Sequence, residues 1–154
     1  MSTEITVMTP VYNERENLPL FINDLESVLN ETKYGFEIII IEDNSPDGSG
    51  EIADNLAEKY DNIKVIHRKQ KLGLGTAYKD GFKRASGNVI VTIDCDLSHD
   101  PKDLPYLLEK SKNSDIVIGS RLVKGGEIKG RAAWRDILSY TANWFIRFIT
   151  GKKI

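Results

Sequence analysis

Cysteine is almost absent from this 154-residue sequence: Cys95 stands alone, which excludes an intramolecular disulfide framework and fits a reducing compartment. Histidine is nearly as scarce. Only His67 and His99 occur, and His99 has no metal-ligating partner at short spacing, so a solvated or capping role suits it better than catalysis. No apolar run approaches the length of a membrane span, and residues 1–11 lack the basic start and apolar stretch of a secretory signal. A cytoplasmic protein is therefore expected, free to touch a membrane surface. Internal repeats, linkers and low-complexity segments are also missing, and the length suits one domain over 1–154.

What is present is an ordinary globular composition, 40% hydrophobic and 29% charged, without the charge blocks that mark disorder. The net charge of −2 conceals an asymmetry: eight Lys and Arg against two acids from Ser120 onward give +6, and the preceding part carries −8. A basic end on an acidic body points to an anionic partner, such as a phosphate, an anionic lipid headgroup or nucleic acid.

Short apolar runs alternate with amphipathic stretches. Strands are expected at Ile5 to Thr9, ended by Pro10, and at Glu37 to Ile41, Ile63 to Ile66, Val89 to Ile93 and Ile116 to Ile118. The unbroken Ile38-Ile39-Ile40-Ile41 run suits a strand covered on both faces. Between the strands, Leu18, Phe21, Ile22, Leu25, Val28 and Leu29 recur at helical spacing, as do Ile52, Leu56 and Tyr60, and further helices are expected from Thr76 to Ala85 and Asp103 to Lys112. This alternation predicts an α/β fold, a mainly parallel sheet flanked by helices in a Rossmann-like three-layer sandwich.

In such sheets ligands bind at the carboxyl ends of the strands, where four polar or glycine-bearing stretches gather here. "DCDLSHD" follows the fourth strand and places Asp94 and Asp96 one residue apart. Two like charges at a strand end need a compensating cation, donor or water, and Mg²⁺ or Mn²⁺ held against a diphosphate would supply one. An isolated Asp-x-Asp is more often a pair of solvated loop acids. Cys95 alternates out of phase with both and should point into the core.

"EDNSPDGS" offers Glu42, Asp43 and Asp47 to a base edge or ribose hydroxyl, or equally offers Asp47 or Ser49 as a helix cap with turn glycines at Gly48 and Gly50. "KLGLGTA" can bring backbone amides near a ligand, but Gly73 and Gly75 without a third glycine make a weak dinucleotide signal. A dinucleotide oxidoreductase is further disfavoured because no Gly-x-Gly-x-x-Gly follows the first strand.

In order and spacing, "TPVYNERENLP", "IIIIEDNSPDGSGEIA", "LGLGTAYKDGFKRASGNVIVTIDCDLSHDP", "DIVIGSRLVKGG" and "RAAWRDILS" resemble the family-2 inverting glycosyltransferases of the GT-A fold. The resemblance covers nearly the whole chain and is closest to the polyprenyl (dolichyl) phosphate mannosyltransferases. It implies that Pro10, Tyr12 and Glu14 line a nucleotide pocket and that Asp43 reads the donor base. It further implies that Asp94 approaches the ribose and metal and that Asp96 ligates a divalent ion on the donor diphosphate. Ser98 stands where a glutamine is usual, so its place in the metal shell would need a water bridge. Arg121 and Arg135 match arginines near the donor diphosphate and the lipid phosphate, a role the guanidinium fork suits.

The implied reaction is inverting transfer of a sugar, mannose from GDP-mannose, to a polyprenyl or dolichyl phosphate, with UDP-glucose as the alternative donor. A nucleotide-sugar-binding module or inactive paralogue is the alternative function. The partners implied are the donor, a lipid phosphate and a membrane surface at its cytoplasmic face, with no nucleic acid. The family's catalytic domain continues beyond the position of Ile154, so the chain reads as a C-terminally truncated GT-A domain whose acceptor part a partner chain or oligomer would supply. Residues 131–150 form an amphipathic pattern: Ile137, Leu138, Thr141, Trp144, Phe145, Phe148 and Ile149 make one stripe bordered by Arg131, Arg135, Arg147, Lys152 and Lys153. It suits either a core-packed helix or one lying in a membrane interface.

Overall fold

The isoleucine run lies in a strand covered on both sides. In a computed structural model that describes residues 3–120 and 133–151, β2 (Phe36–Glu42) is central, with Ile38 and Ile40 facing one hydrophobic cluster and Ile39 and Ile41 facing another. It pairs in parallel with β1 (Ile5–Val11) on one side and β3 (Ile63–His67) on the other. β4 (Val89–Thr92) adds to β1, giving a four-stranded parallel sheet of order β3-β2-β1-β4.

Helices cover both faces. α1 (Asn17–Asn30) buries Leu18, Phe21, Ile22, Leu25 and Leu29 against Val7, Ile38 and Ile40, and this larger cluster also takes in Ala53 and Leu56 of α2 (Ser49–Lys59) and Leu104 and Leu108 of α4 (Leu104–Ser111). On the opposite face, α3 (Leu74–Phe82) sets Ala77 against Met8, Ile39 and Ile41. Burying such side chains contributes about 1.5–3 kcal/mol each relative to leaving them in water.

β1 runs two residues beyond the expected end, because Pro10 lacks an N–H where none is needed. Even-numbered residues of β1 turn their backbone to β4, as Met8 does in accepting from Ile93 N at 3.2 Å, and odd-numbered ones turn to β2, as Val11 does in accepting from Asp43 N at 3.0 Å. The ring nitrogen of Pro10 thus falls on the side where β4 has ended at Thr92. The fifth strand expected at Ile116 to Ile118 does not form, and Ile116 and Ile118 are 79% and 80% exposed. A strand needs a hydrogen-bonded neighbour, and among the described residues none pairs with the outer edge of β4.

The amino ends of the strands are tied by one buried carboxylate. Glu37 accepts from Thr6 Oγ1, Ser86 N and Lys64 Nζ, each at 2.6 Å, and Thr6 Oγ1 in turn accepts from Gly87 N at 2.9 Å. These bonds join β1, β2, β3 and the turn into β4, leaving the carboxyl ends to the loops.

The chain divides into two compact units, Met1–Val117 and Ile118–Ile154. In the second, α5 (Ala133–Thr150) carries the expected amphipathic segment; residues 131 and 132 lie outside the described residues. Trp134, Leu138, Trp144, Phe145, Phe148 and Ile149 are exposed, and Trp144 stacks on Phe148 with ring centroids 5.8 Å apart. Among the described residues no helix is long and apolar enough to cross a membrane.

Candidate functional site

The carboxyl ends of β1, β2 and β4 open into a cleft of about 220 Å³. Pro10, Tyr12 and Glu14 line it from β1 and its loop, Asp43 from the end of β2, and Asp94 and Asp96 from the segment after β4. Six of the site residues expected from the sequence are therefore brought together. Lys71 and Leu74, from the stretch after β3, together with Val11 and Cys95 complete it. Arg121 lies outside the described residues, and Arg135 belongs to α5 in the second unit.

The loop after β1 is clamped to the loop after β2. Asn13 N donates to Ser45 Oγ at 3.1 Å, Glu14 N to Ser49 Oγ at 2.9 Å and Arg15 N to Asp47 Oδ2 at 3.1 Å. Three consecutive amides are thus consumed inside the protein and are not available as an anion-binding nest. Asp47 also accepts from the amide and hydroxyl of Ser49. Burial alone would raise its carboxyl, but the Ser49 and Arg15 donors outweigh that and hold it below the ordinary value. Gly48, at φ +90°, supplies the left-handed turn into α2.

The three acids at and after the end of β2 have separate tasks. Glu42 is buried and accepts from Asn44 N at 3.0 Å and Ser45 N at 2.6 Å, shaping the turn. Asp47 clamps the loops. Only Asp43 reaches the cleft. Burial raises its carboxyl, and Arg68, donating from Nη1 to Asp43 Oδ1 at 2.7 Å, partly offsets this. Arg68 belongs to no motif singled out in the sequence; its position just past the end of β3 is the signal that marks it.

Asp94 and Asp96 share the cleft wall. Tyr78 Oη, on α3, lies 3.4 Å from Asp94 Oδ1, and burial followed by the Asp94 charge raises its phenol. Asp96 Oδ1 accepts from Ser98 N at 2.9 Å; the Ser98 hydroxyl and amide together hold the Asp96 carboxyl below its usual value. Leu97 between them sits at φ +60°, a left-handed conformation that costs a non-glycine residue about 1–2 kcal/mol. Cys95 is 2% exposed, its Sγ faces Pro10 O at 3.8 Å, and burial pushes its thiol up to about 12. It points into the core, as its phase implied. His99 is exposed, as a solvated residue would be.

The donor set is therefore all oxygen. Among the described residues no three His, Cys, Asp or Glu side chains converge to hold a metal by themselves. Two aspartates suit a hard ion that completes its shell from substrate phosphates and water, which fits Mg²⁺ or Mn²⁺ and does not fit a thiolate-bound metal. The cleft holds one further charge of the opposite sign, Lys71, whose Nζ lies 3.9 Å from the centroid of the Tyr12 ring, a cation–π contact.

Known proteins resemble this chain in sequence and in fold. Residues 6–152 match the family described as Glycosyl transferase family 2. A dolichol-phosphate mannosyltransferase of Pyrococcus furiosus is 44% identical over 137 residues, 88% of this chain and 38% of the relative. A polyprenol monophosphomannose synthase of Mycolicibacterium smegmatis is 41% identical over 150 residues, 94% of this chain and 55% of that protein. An undecaprenyl-phosphate mannosyltransferase of Micrococcus luteus is 37% identical over 96% of this chain and 60% of its own length. The chain thus spans 38% to 60% of the length of these relatives.

Among solved structures, a mannosyltransferase of Pyrobaculum calidifontis in complex with GDP-Man and Mn²⁺ superimposes with a TM-score of 0.53 at 23% identity, over 67% of this chain and 30% of that one. Glucosyl-3-phosphoglycerate synthase of Mycobacterium tuberculosis, with Mn²⁺, UDP and glucosyl-3-phosphoglycerate, gives 0.56 at 22% identity over 73% of this chain and 41% of its own. At such identities the likeness establishes the fold, the GT-A arrangement of a parallel sheet between helices. With its sheet, its strand-end cleft and a family match running from Thr6 to Lys152, the chain belongs to glycosyl transferase family 2.

Proposed function

We propose that this chain is the donor-binding part of an inverting, metal-dependent sugar transferase that moves mannose from GDP-mannose to a polyprenyl or dolichyl phosphate. The observation that carries the reading is the gathering of Pro10, Tyr12, Glu14, Asp43, Asp94 and Asp96 around one cleft at the strand ends. The names of the relatives support the sugar and the lipid phosphate.

In this reading Asp43 accepts a hydrogen bond from the donor base, and Tyr12 and Glu14 line the nucleotide pocket. Asp94 and Asp96 would hold the Mg²⁺ or Mn²⁺ ion, which neutralises charge on the leaving diphosphate. With the Asn13, Glu14 and Arg15 amides engaged elsewhere, Lys71 is left as the cation lining the cleft among the described residues, and Arg121 and Arg135 are assigned to the donor diphosphate and the lipid phosphate. A phosphate oxygen attacks the anomeric carbon in line and inverts it. It is ionised near neutral pH, so no general base is needed. Ser98 positions Asp96 through its amide in preference to joining the metal shell.

The exposed aromatic and aliphatic side chains of α5 support a helix lying at the cytoplasmic surface of a membrane, where a lipid phosphate is met. The test of the metal assignment is Asp96→Ala. Metal-dependent donor binding should vanish while the thermal midpoint stays within about 2 °C; binding unchanged from the parent would sink the assignment. Donor binding without transfer to added lipid phosphate would leave the chain a nucleotide-sugar-binding module.

A further inference from the structure

His67 ends β3 and pairs in register with Glu42, the last residue of β2, so the two side chains lie side by side on the face of the sheet that α2 covers. Both nitrogens of its ring meet a carboxylate. Nε2 lies 2.8 Å from Asp54 Oδ1 of α2, and Nδ1 lies 3.5 Å from Glu42 Oε2. These two acids are the charges that act on the ring; Arg68, next in the chain, is turned to Asp43 and Asp80.

A neutral imidazole has one N–H and one lone pair. Either tautomer sets a lone pair against a carboxylate oxygen, whereas the imidazolium donates from both nitrogens. The geometry is that of the charged ring. The Asp54 bond outweighs burial and, with Glu42, raises the pKa of His67 above its ordinary value. The ring is 48% exposed and exchanges its proton with solvent, while Glu42 is shut inside at 4%.

Glu42 holds the turn behind the cleft. Its carboxylate accepts from Asn44 N and Ser45 N, the two amides after Asp43, and Ser45 Oγ accepts from Asn13 N in the loop that carries Tyr12 and Glu14. Asp54 lies on the same helix as Ser49, which holds Glu14 N. We propose that His67 is a proton-operated latch on this turn: charged, it ties α2 to Glu42 and steadies the loops that present Asp43 and Glu14; neutral, it lets go of one carboxylate, the turn opens more often, and the cleft holds its nucleotide less tightly. The inference rests on the reading of the cleft as a nucleotide-sugar site. The latch is complete below about pH 6.5, the unfolded value, and releases as pH rises through the raised folded one.

The test compares the parent with His67→Gln between about pH 6 and 8.5, the range in which a raised histidine titrates. The chain has two histidines, so the ring proton signal lost in the variant identifies His67, and its titration gives the folded pKa directly. Hydrogen exchange of the Asn44 and Ser45 amides, corrected for the intrinsic effect of pH, reads the turn without any ligand. The parent should lose about fivefold in protection across that pKa, roughly one hydrogen bond's worth, and His67→Gln should show no such step. Calorimetry with Mg²⁺ and GDP-mannose, whose diphosphate is a diester with no proton to lose in this range, should show a similar fall in affinity in the parent alone. Asp54→Asn should lower the titration midpoint of His67 and carry both profiles down with it. Flat profiles in the parent overturn the latch. So does a step that persists in His67→Gln, which would belong to His99 beside Asp96, or an Asp54→Asn ring that titrates lower while the profiles stay in place. Failure of the parent to bind GDP-mannose overturns the cleft reading instead, and the exchange profile then decides the latch by itself.

Discussion

Replacing Glu37 with alanine should measurably destabilise the sheet. The side chain is 4% exposed and accepts from Thr6 Oγ1, Ser86 N and Lys64 Nζ. Lys64 is 53% exposed and Ser86 is exposed as well, so both return to water at little cost, but Thr6 is fully buried and loses its acceptor. One stranded buried donor gives a loss of about 2 kcal/mol. In a chain of this length that lowers the thermal midpoint by about 4–8 °C. Glu37→Gln keeps an acceptor toward Thr6 and Ser86 and gives up mainly the half-exposed charge pair, so it should cost about 1 kcal/mol. Urea unfolding at pH 7, followed by far-ultraviolet circular dichroism, measures both. An alanine variant that loses less than about 1 kcal/mol, or a glutamine variant as damaged as the alanine one, would refute the assignment of stability to these bonds. The pH dependence carries the same sign. Burial alone would raise the Glu37 carboxyl, but its Lys64, Thr6 and Ser86 donors outweigh that and leave it lowered, so its contribution is present above the unfolded value of about 4.5 and is lost as pH falls through the folded one.

Gly87→Ala places a Cβ 2.6 Å from Ile5 C and Thr6 N, both backbone atoms that cannot move aside; the expected loss is about 3 kcal/mol, read as a shift in urea midpoint at constant slope. His67 bonds Asp54 at 2.8 Å and faces Glu42 at 3.5 Å, and the Asp54 bond raises its pKa. Its contribution is therefore complete below about pH 6.5 and fades as pH rises through the raised value, a decline that urea midpoints of the parent should show and those of His67→Gln should not. Asp47→Ala frees Arg15 N and both Ser49 donors, so donor affinity should fall several-fold, about one hydrogen bond's worth, as Tyr12 and Glu14 lose their anchor; unchanged affinity would show that the clamp does not shape the pocket.

The sheet was legible because its signal is local. A run of four isoleucines has no polar face to offer solvent, so it forecasts a strand covered twice, and the alternation of such runs with amphipathic helices gives the parallel order. Pro10 was misjudged as a stop because the cost of a proline depends on which neighbour its missing N–H faces, and that is a property of the register. The Ile116 to Ile118 segment has strand composition and no ladder, since pairing is decided between segments. At the site, Asp94, Asp96 and Asp43 could be read from position at strand ends. Arg68 shares such a position at the end of β3, but its role, like that of Tyr78, comes from a carboxylate far along the chain, 25 residues away for Arg68 and 16 for Tyr78.

The proposed site binds a nucleoside diphosphate sugar through a metal held by Asp94 and Asp96. Titration of the chain with GDP-mannose, and in parallel UDP-glucose, in Mn²⁺ and then in EDTA decides whether it does. Saturable heat is expected for one donor, GDP-mannose, with Mn²⁺, and should be lost with EDTA. Binding of equal strength in EDTA, or no binding of either donor in Mn²⁺, would refute the metal-held site.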